Sequence, residues 1–340
     1  MAKTMLAVVK EKNAPGVALR NIPIPKPKKG ELLIKVKASS ICGTDISLYD
    51  WTPWAEGHIQ KFPVTLGHEV VGEVLEVNSD ELTDIKVGDM VSSETHIFCN
   101  NCYQCRINNR HVCENMQLFG IGGDYGGFAQ YAVIPIRTSW KNTIDIPANV
   151  ISAQEPLGNA VHVVSKADVA GKSVIVFGLG PVGQCVVSVA KAYGAKKVIG
   201  INRGEYRRNL AMKMGADEVY DYLPEKYKNQ FEVVIETSGN AEIMNTILEA
   251  ARIAGKIVFF GVPKKEASIE IGKYFINKEL SAISVFGRRI WETWYQTSDL
   301  LASKKVDLAK LVTHQFKLSE FEEAMAVMKS GQCGKVVLIP

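Results

Sequence analysis

Ser173-Val174-Ile175-Val176-Phe177-Gly178-Leu179-Gly180-Pro181-Val182-Gly183 is the stretch that decides how this chain folds. Val174–Phe177 is an unbroken apolar run, which suits a strand covered on both faces. Glycines then fall at the first, third and sixth places of a G-x-G-x-x-G pattern, and helical periodicity runs from Val182 to Tyr193. A chain with 28 glycines produces that spacing by chance, but the strand before it and the helix after it select the dinucleotide-binding reading. Gly178 makes the tight turn, Gly180 lets the backbone approach a pyrophosphate, and Gly183 lets helix and strand touch. Leu179, Pro181 and Val182 complete the loop, whose helix N-terminal amides face the phosphates. The alternative is a glycine-rich turn with no ligand.

Further along, the same texture continues. Lys197–Ile201, Val233–Glu236 and Lys256–Phe260 read as strands, and Arg207–Met214 and Glu242–Ala251 as helices. This alternation predicts a doubly wound parallel sheet with right-handed crossovers. The fingerprint calls for an acid at the end of the second strand, to hold the adenosine ribose. The chain instead reads Gly200-Ile201-Asn202-Arg203-Gly204-Glu205-Tyr206-Arg207. Guanidinium groups at Arg203 and Arg207 beside Asn202 would attract a 2′-phosphate, so NADP(H) is favoured over NAD(H). The alternative leaves both arginines as solvated charges and lets Glu205 reach the ribose.

Before the fingerprint, the first 150 residues are rich in short β-type runs such as Leu32–Val36, Val70–Val77 and Phe128–Ile134. Pro23, Pro25 and Pro27 exclude helix between them. This half predicts a β-rich, barrel-like domain. It also holds four of the chain's seven cysteines, as Cys99-x2-Cys102-x2-Cys105-x7-Cys113. Four soft thiolates in one loop can wrap a tetrahedral zinc with no corner left for substrate, hence a structural site. Close cysteine spacing also serves iron–sulfur clusters. Elsewhere, Ile41-Cys42-Gly43-Thr44-Asp45, Gly67-His68-Glu69 and Gln154-Glu155-Pro156 supply a thiolate, an imidazole and carboxylates. One Cys, one His and one acid with an open corner form the pattern of a catalytic zinc.

The 340 residues suit two domains rather than one core. A net charge of +4, from 40 basic and 36 acidic residues, gives no basis for nucleic-acid binding. No apolar run reaches membrane-spanning length. The run Met5–Val9 ahead of Lys10 is too short for a signal-peptide core and reads as a first strand. A cytoplasmic protein is expected.

Taken together and in order, Cys42-Gly43-Thr44-Asp45, Gly67-His68-Glu69-Val70-Val71-Gly72, the four-cysteine loop and the fingerprint resemble the zinc-dependent medium-chain dehydrogenase/reductase family over essentially the whole chain. The resemblance implies an α/β protein: a GroES-like β-rich catalytic domain at 1–150, a Rossmann dinucleotide-binding domain at 151–290, and 291–340 returning to the first. It implies two zinc ions per chain. Cys42, His68 and Glu155 would hold the catalytic ion, with Glu69 able to enter or leave its sphere, and Cys99, Cys102, Cys105 and Cys113 the structural one. Thr44 would relay the substrate proton.

Glu94-Thr95-His96-Ile97, Pro156-Leu157-Gly158-Asn159-Ala160-Val161 and Gly287-Arg288-Arg289-Ile290-Trp291-Glu292-Thr293-Trp294 resemble the threonine dehydrogenase branch of that family. That branch implies a small amino-alcohol substrate, His96 in the active site, and Arg288 and Arg289 near cofactor or substrate carboxylate. The chain departs from it in lacking the acid where Asn202 stands and an acid between Trp51 and Trp54. A polyol or sugar-alcohol dehydrogenase therefore stays open, as do a zinc-independent reductase on this scaffold and a zinc-ribbon scaffold protein. The family implies a homo-oligomer, dimer or tetramer.

Overall fold

The computed structural model describes residues 3–59, 61–123 and 125–340. The chain forms two compact units, Met1–Glu155 with Val312–Ser330 and Lys335–Pro340, and Pro156–Leu311 with Gly331–Gly334. The domain limits expected at 150 and 290 stand beside unit limits at 155 and 311. Of the expected N-terminal strand, Thr4–Lys10 is strand, and Met1 and Ala2 lie outside the described residues. No helix among the described residues is long and apolar enough to cross a membrane.

The first unit is built on a seven-stranded sheet. Its order is Ser139–Lys141, Met90–Ser93, Glu69–Asn78, Glu31–Ile41, Lys335–Ile339 and Val312–Lys317, with Tyr131–Pro135 also pairing with Glu31–Ile41. Along Glu31–Ile41, Leu32, Ile34 and Val36 point into the core while Lys35 is exposed, the period-2 pattern of a sheet with one wet face. From Ala38 onward every residue is buried, and so is the start of Glu69–Asn78. The two strands run antiparallel with Ser40 opposite Glu69, so their submerged ends meet directly before Cys42 and directly after His68. The fold thereby brings two distant motifs to one dry place.

The closing strand reaches the same place. Lys335 is buried, and its ammonium lies 2.6 Å from each carboxylate oxygen of Glu69, two strands away. The Ser40 hydroxyl donates to the same carboxylate.

The second unit holds a parallel six-stranded sheet of order Glu218–Tyr220, Lys197–Ile201, Ser173–Phe177, Phe231–Glu236, Ala251–Phe259 and Ser281–Ser284. Its core joins Ile175, Phe177, Ile199, Val234, Ile247 and Ile257. The fingerprint strand and the second strand fall where the sequence places them. The helix after the fingerprint spans Pro181–Ala192, with proline opening it and Gly180 as its N-cap. Gly178 turns with φ +90°, and a Cβ on Gly183 would sit 2.0 Å from the Gly178 carbonyl oxygen. That distance is the helix–strand contact expected of the third glycine.

Two stability predictions follow from these contacts. Gly183→Ala must push the helix off the strand and is expected to cost about 2–3 kcal/mol, read as a lower urea midpoint. Lys335→Met strands a buried carboxylate and is expected to cost about 3–5 kcal/mol in metal-free protein. Wild-type midpoints for either variant would contradict the packing described.

Candidate active site

Cys42 ends the Glu31–Ile41 strand and caps the helix Gly43–Asp50, where its backbone N–H donates to Asp45 Oδ2 at 2.8 Å. Its thiol donates to Thr44 Oγ1 at 3.8 Å. His68 and Glu69 start the neighbouring strand and are buried. One ligand atom from each of Cys42, His68 and Glu69 lies within 4.8 Å of the others. Asp45, wholly buried, stands behind them with Oδ1 3.5 Å from His68 Nδ1, and neither atom has another hydrogen-bond partner.

Glu155 does not join that group of three. Thr95 Oγ1 donates to its Oε1 at 3.3 Å and to the His68 carbonyl at 3.4 Å, so one hydroxyl ties the two segments together. His96 Nδ1 lies 2.7 Å from Glu94 Oε1, which also accepts the His96 backbone N–H at 2.9 Å, and both side chains are buried.

Burial works against the charged imidazole, yet Asp45 and Cys42 hold the His68 pKa well above its ordinary value. Burial raises Glu69, which Lys335 lowers and Glu155 raises again. Burial alone would lower Lys335, but Glu69, Cys42 and Glu155 raise it. Three carboxylates, Asp45, Glu69 and Glu155, thus lie buried around His68 and Lys335. Buried charge of one sign is costly until a cation offsets it. A divalent ion against Cys42 and His68, with Asp45 facing the far ring nitrogen, fits the orphaned Nδ1–Oδ1 pair and the cluster of carboxylates.

The four-cysteine loop makes a second cluster. The sulfurs of Cys99, Cys102, Cys105 and Cys113 lie within 4.8 Å of one another and form no disulfide. Backbone N–H groups of Cys102, Cys105 and Cys99 point at the sulfurs of Cys99, Cys102 and Cys113, at 3.4, 3.5 and 3.2 Å. Hydrogen bonds, first from Asn101, bring the Cys99 thiol down to about 6, while burial pushes Cys105 up to about 12. A divalent metal would draw all four thiols to thiolates despite this difference in acidity.

At the fingerprint, Asn202 Oδ1 accepts the Leu179 N–H at 3.2 Å, and Asn202 Nδ2 donates to the Gly204 carbonyl at 3.2 Å. Arg203 is exposed; Arg207 is half-buried, with its Nε enclosed and unbonded. Two residues that sequence reading passed over organise this corner. Gln184 Nε2 donates to the carbonyls of Leu179 and Arg207, at 3.0 and 2.8 Å. Arg208 Nη1 donates to those of Asn202 and Arg203, at 2.8 and 2.5 Å. Arg288 is fully buried, its Nη1 3.1 Å from Asn159 Oδ1, whereas Arg289 pairs with Glu292 at 3.1 Å near the surface. Asp45, Glu94, Thr95, Ser40 and Lys335 received no role from the sequence, although Asp45 lies three residues from Cys42 and Glu94 and Thr95 belong to the stretch around His96 that resembles the threonine dehydrogenase branch.

Residues 28–148 match the alcohol dehydrogenase GroES-like domain, and residues 181–303 match the zinc-binding dehydrogenase domain. An L-threonine 3-dehydrogenase of Thermococcus kodakarensis is 43% identical over 100% of this chain and 99% of its own. A zinc-binding dehydrogenase of Sinorhizobium meliloti, solved with NADP bound, superposes with a TM-score of 0.88 at 29% identity, over 99% of this chain and 100% of that one. An alcohol dehydrogenase of E. coli complexed with NADH gives 0.89 at 28% identity, over 100% of both chains. With a Cys–His–Glu cluster in one unit and a dinucleotide fingerprint in the other, the chain belongs to the zinc-dependent medium-chain dehydrogenase/reductase, or alcohol dehydrogenase, family.

Proposed function

We propose that this enzyme is an L-threonine 3-dehydrogenase, oxidising the secondary alcohol of threonine to 2-amino-3-oxobutanoate, with NADP(H) favoured over NAD(H). The observation that carries the reading is the Cys42–His68–Glu69 cluster, backed by Asp45, in a chain 43% identical over its length to a threonine dehydrogenase. The cofactor preference rests on Asn202, which takes the place of a ribose-binding acid and bonds Leu179 instead, beside the exposed Arg203.

Cys42 and His68 would hold the catalytic zinc with Glu155, and the four-cysteine loop would hold a second, structural zinc. When bound, zinc supplies a Lewis acid that lowers the pKa of the alcohol, and the nicotinamide ring accepts the hydride. The protein's own residues do the rest. Asp45, opposite His68 Nδ1, would orient the ring and leave Nε2 to a metal. Lys335 and Ser40 hold the Glu69 carboxylate, which sets how readily it can reach the metal. Thr44, beside Cys42, takes the alcohol proton and passes it on. Glu94 orients His96 for a role beside the substrate.

Metal analysis should find zinc at both clusters. Cys42→Ala should lose one ion and all turnover, whereas Cys102→Ser should lose the other ion and thermal stability first. A wild-type chain with zinc only in the cysteine loop would overturn the catalytic assignment. Initial rates with threonine, 2,3-butanediol and sorbitol, each with NAD and with NADP, test the substrate. Threonine turnover, faster with NADP, is expected. Turnover of a polyol and none of threonine would place the enzyme in the polyol branch, and a preference for NAD would overturn the role given to Arg203.

A further inference from the structure

A buried carboxylate that neither metal cluster uses stands where the second unit reverses its strand order. The chain leaves the fingerprint strand Ser173–Phe177 for Lys197–Ile201 on one side and resumes with Phe231–Glu236 on the other. In such sheets ligands bind at the carboxyl ends of the two strands flanking this reversal. Those ends are Phe177 and Glu236, directly opposite each other in the register. Beyond Phe177 lies the glycine fingerprint, and beyond Glu236 lies the turn Thr237-Ser238-Gly239.

The Glu236 side chain is fully buried. Its Oε1 accepts three hydrogen bonds from the turn that follows: Ser238 N–H at 2.5 Å, Ser238 Oγ at 2.5 Å and Gly239 N–H at 2.9 Å. Its Oε2 is enclosed with no hydrogen-bond partner. Gly261 closes the far side, since a Cβ there would lie 2.6 Å from Oε2 and 2.2 Å from the Gly239 nitrogen. On the near side the turn is locked to the fingerprint. Thr237 donates through its N–H to the Phe177 carbonyl at 2.8 Å, and through Oγ1 to the Gly178 carbonyl at 2.6 Å. A Cβ on Gly178 would come within 2.7 Å of the Ser238 nitrogen.

We propose that Glu236 is a cofactor-positioning residue, whose carboxylate seats the Thr237–Gly239 turn against Gly178 and so preforms the wall of the dinucleotide site opposite the glycine loop. This rests on the reading that the second unit binds a nicotinamide dinucleotide. The amides of Ser238 and Gly239 are spent on Glu236 rather than offered to a phosphate, and the carboxylate has no exposed surface from which to touch a ligand. Glu236 acts through the turn. Without the acceptor, two backbone amides and a hydroxyl lose a buried partner, and the turn must move to find others.

Fluorescence titration of the full-length enzyme with NADPH and with NADH tests this, with zinc content and urea midpoint measured in parallel. Glu236→Ala is expected to raise Kd for both dinucleotides by about tenfold or more while leaving zinc content at the wild-type value. Glu236→Gln keeps one oxygen for the three donors and is expected to recover most of that loss. If Glu236→Ala does not fold, Glu236→Asp takes its place, because its shorter arm withdraws the acceptor from the turn and should weaken binding likewise. Wild-type affinity in the Ala or Asp variant would overturn the proposal. So would a Gln variant as weak as the Ala variant, which would mean that the charge itself meets the ligand. A wild-type enzyme that binds neither dinucleotide would defeat the underlying reading instead, and is told apart by that control.

Discussion

Negative charge kept out of water is the constraint on which the catalytic unit depends. The carboxylates of Asp45, Glu69 and Glu155 converge with the Cys42 thiol where two antiparallel strands submerge their ends, and His68 and Lys335 are set among them. In a dry interior such a group is unfavourable unless a cation joins it or protons neutralise it. Asp45 and Cys42 hold the His68 pKa above its ordinary value, against the effect of burial. A divalent cation offers the first route, and with it a Lewis acid at the bottom of a protein-lined site.

The neighbouring side chains sort by this constraint. Asp45 faces the ring nitrogen that a metal would not use. Lys335 and Ser40 grip Glu69, so the carboxylate grouped with Cys42 and His68 is already engaged. Glu155, expected as a ligand from its place in the family, sits outside the tight group and is tied through Thr95 to the His68 backbone. The division of labour between the two glutamates therefore turns on which of them releases its protein partner for the ion.

How legible these features were in the sequence depended on distance along the chain. The fingerprint strand, its glycines and the following helix are consecutive, so period and turn chemistry located them closely. The cysteine loop is local too, and its four sulfurs do converge. Cys42, His68 and Glu69 were reachable only because short motifs around them resembled a family. Lys335 lies 266 positions from Glu69, and no periodicity reports a contact made through sheet order. Glu236 was read only as the end of a strand, since the three donors that give it meaning appear once the turn is folded. Asn202 shows a subtler limit: the sequence marked a missing acid, but not that the amide would occupy the Leu179 N–H.

The most direct measurement of the central claim is anomalous diffraction at the zinc edge from crystals of the zinc-loaded enzyme. The account predicts a peak bonded to Cys42 Sγ, a His68 ring nitrogen and a carboxylate oxygen, separate from a second peak among the four loop sulfurs. A peak in the cysteine loop alone, with His68 still facing Asp45 and Cys42 unligated, would contradict it.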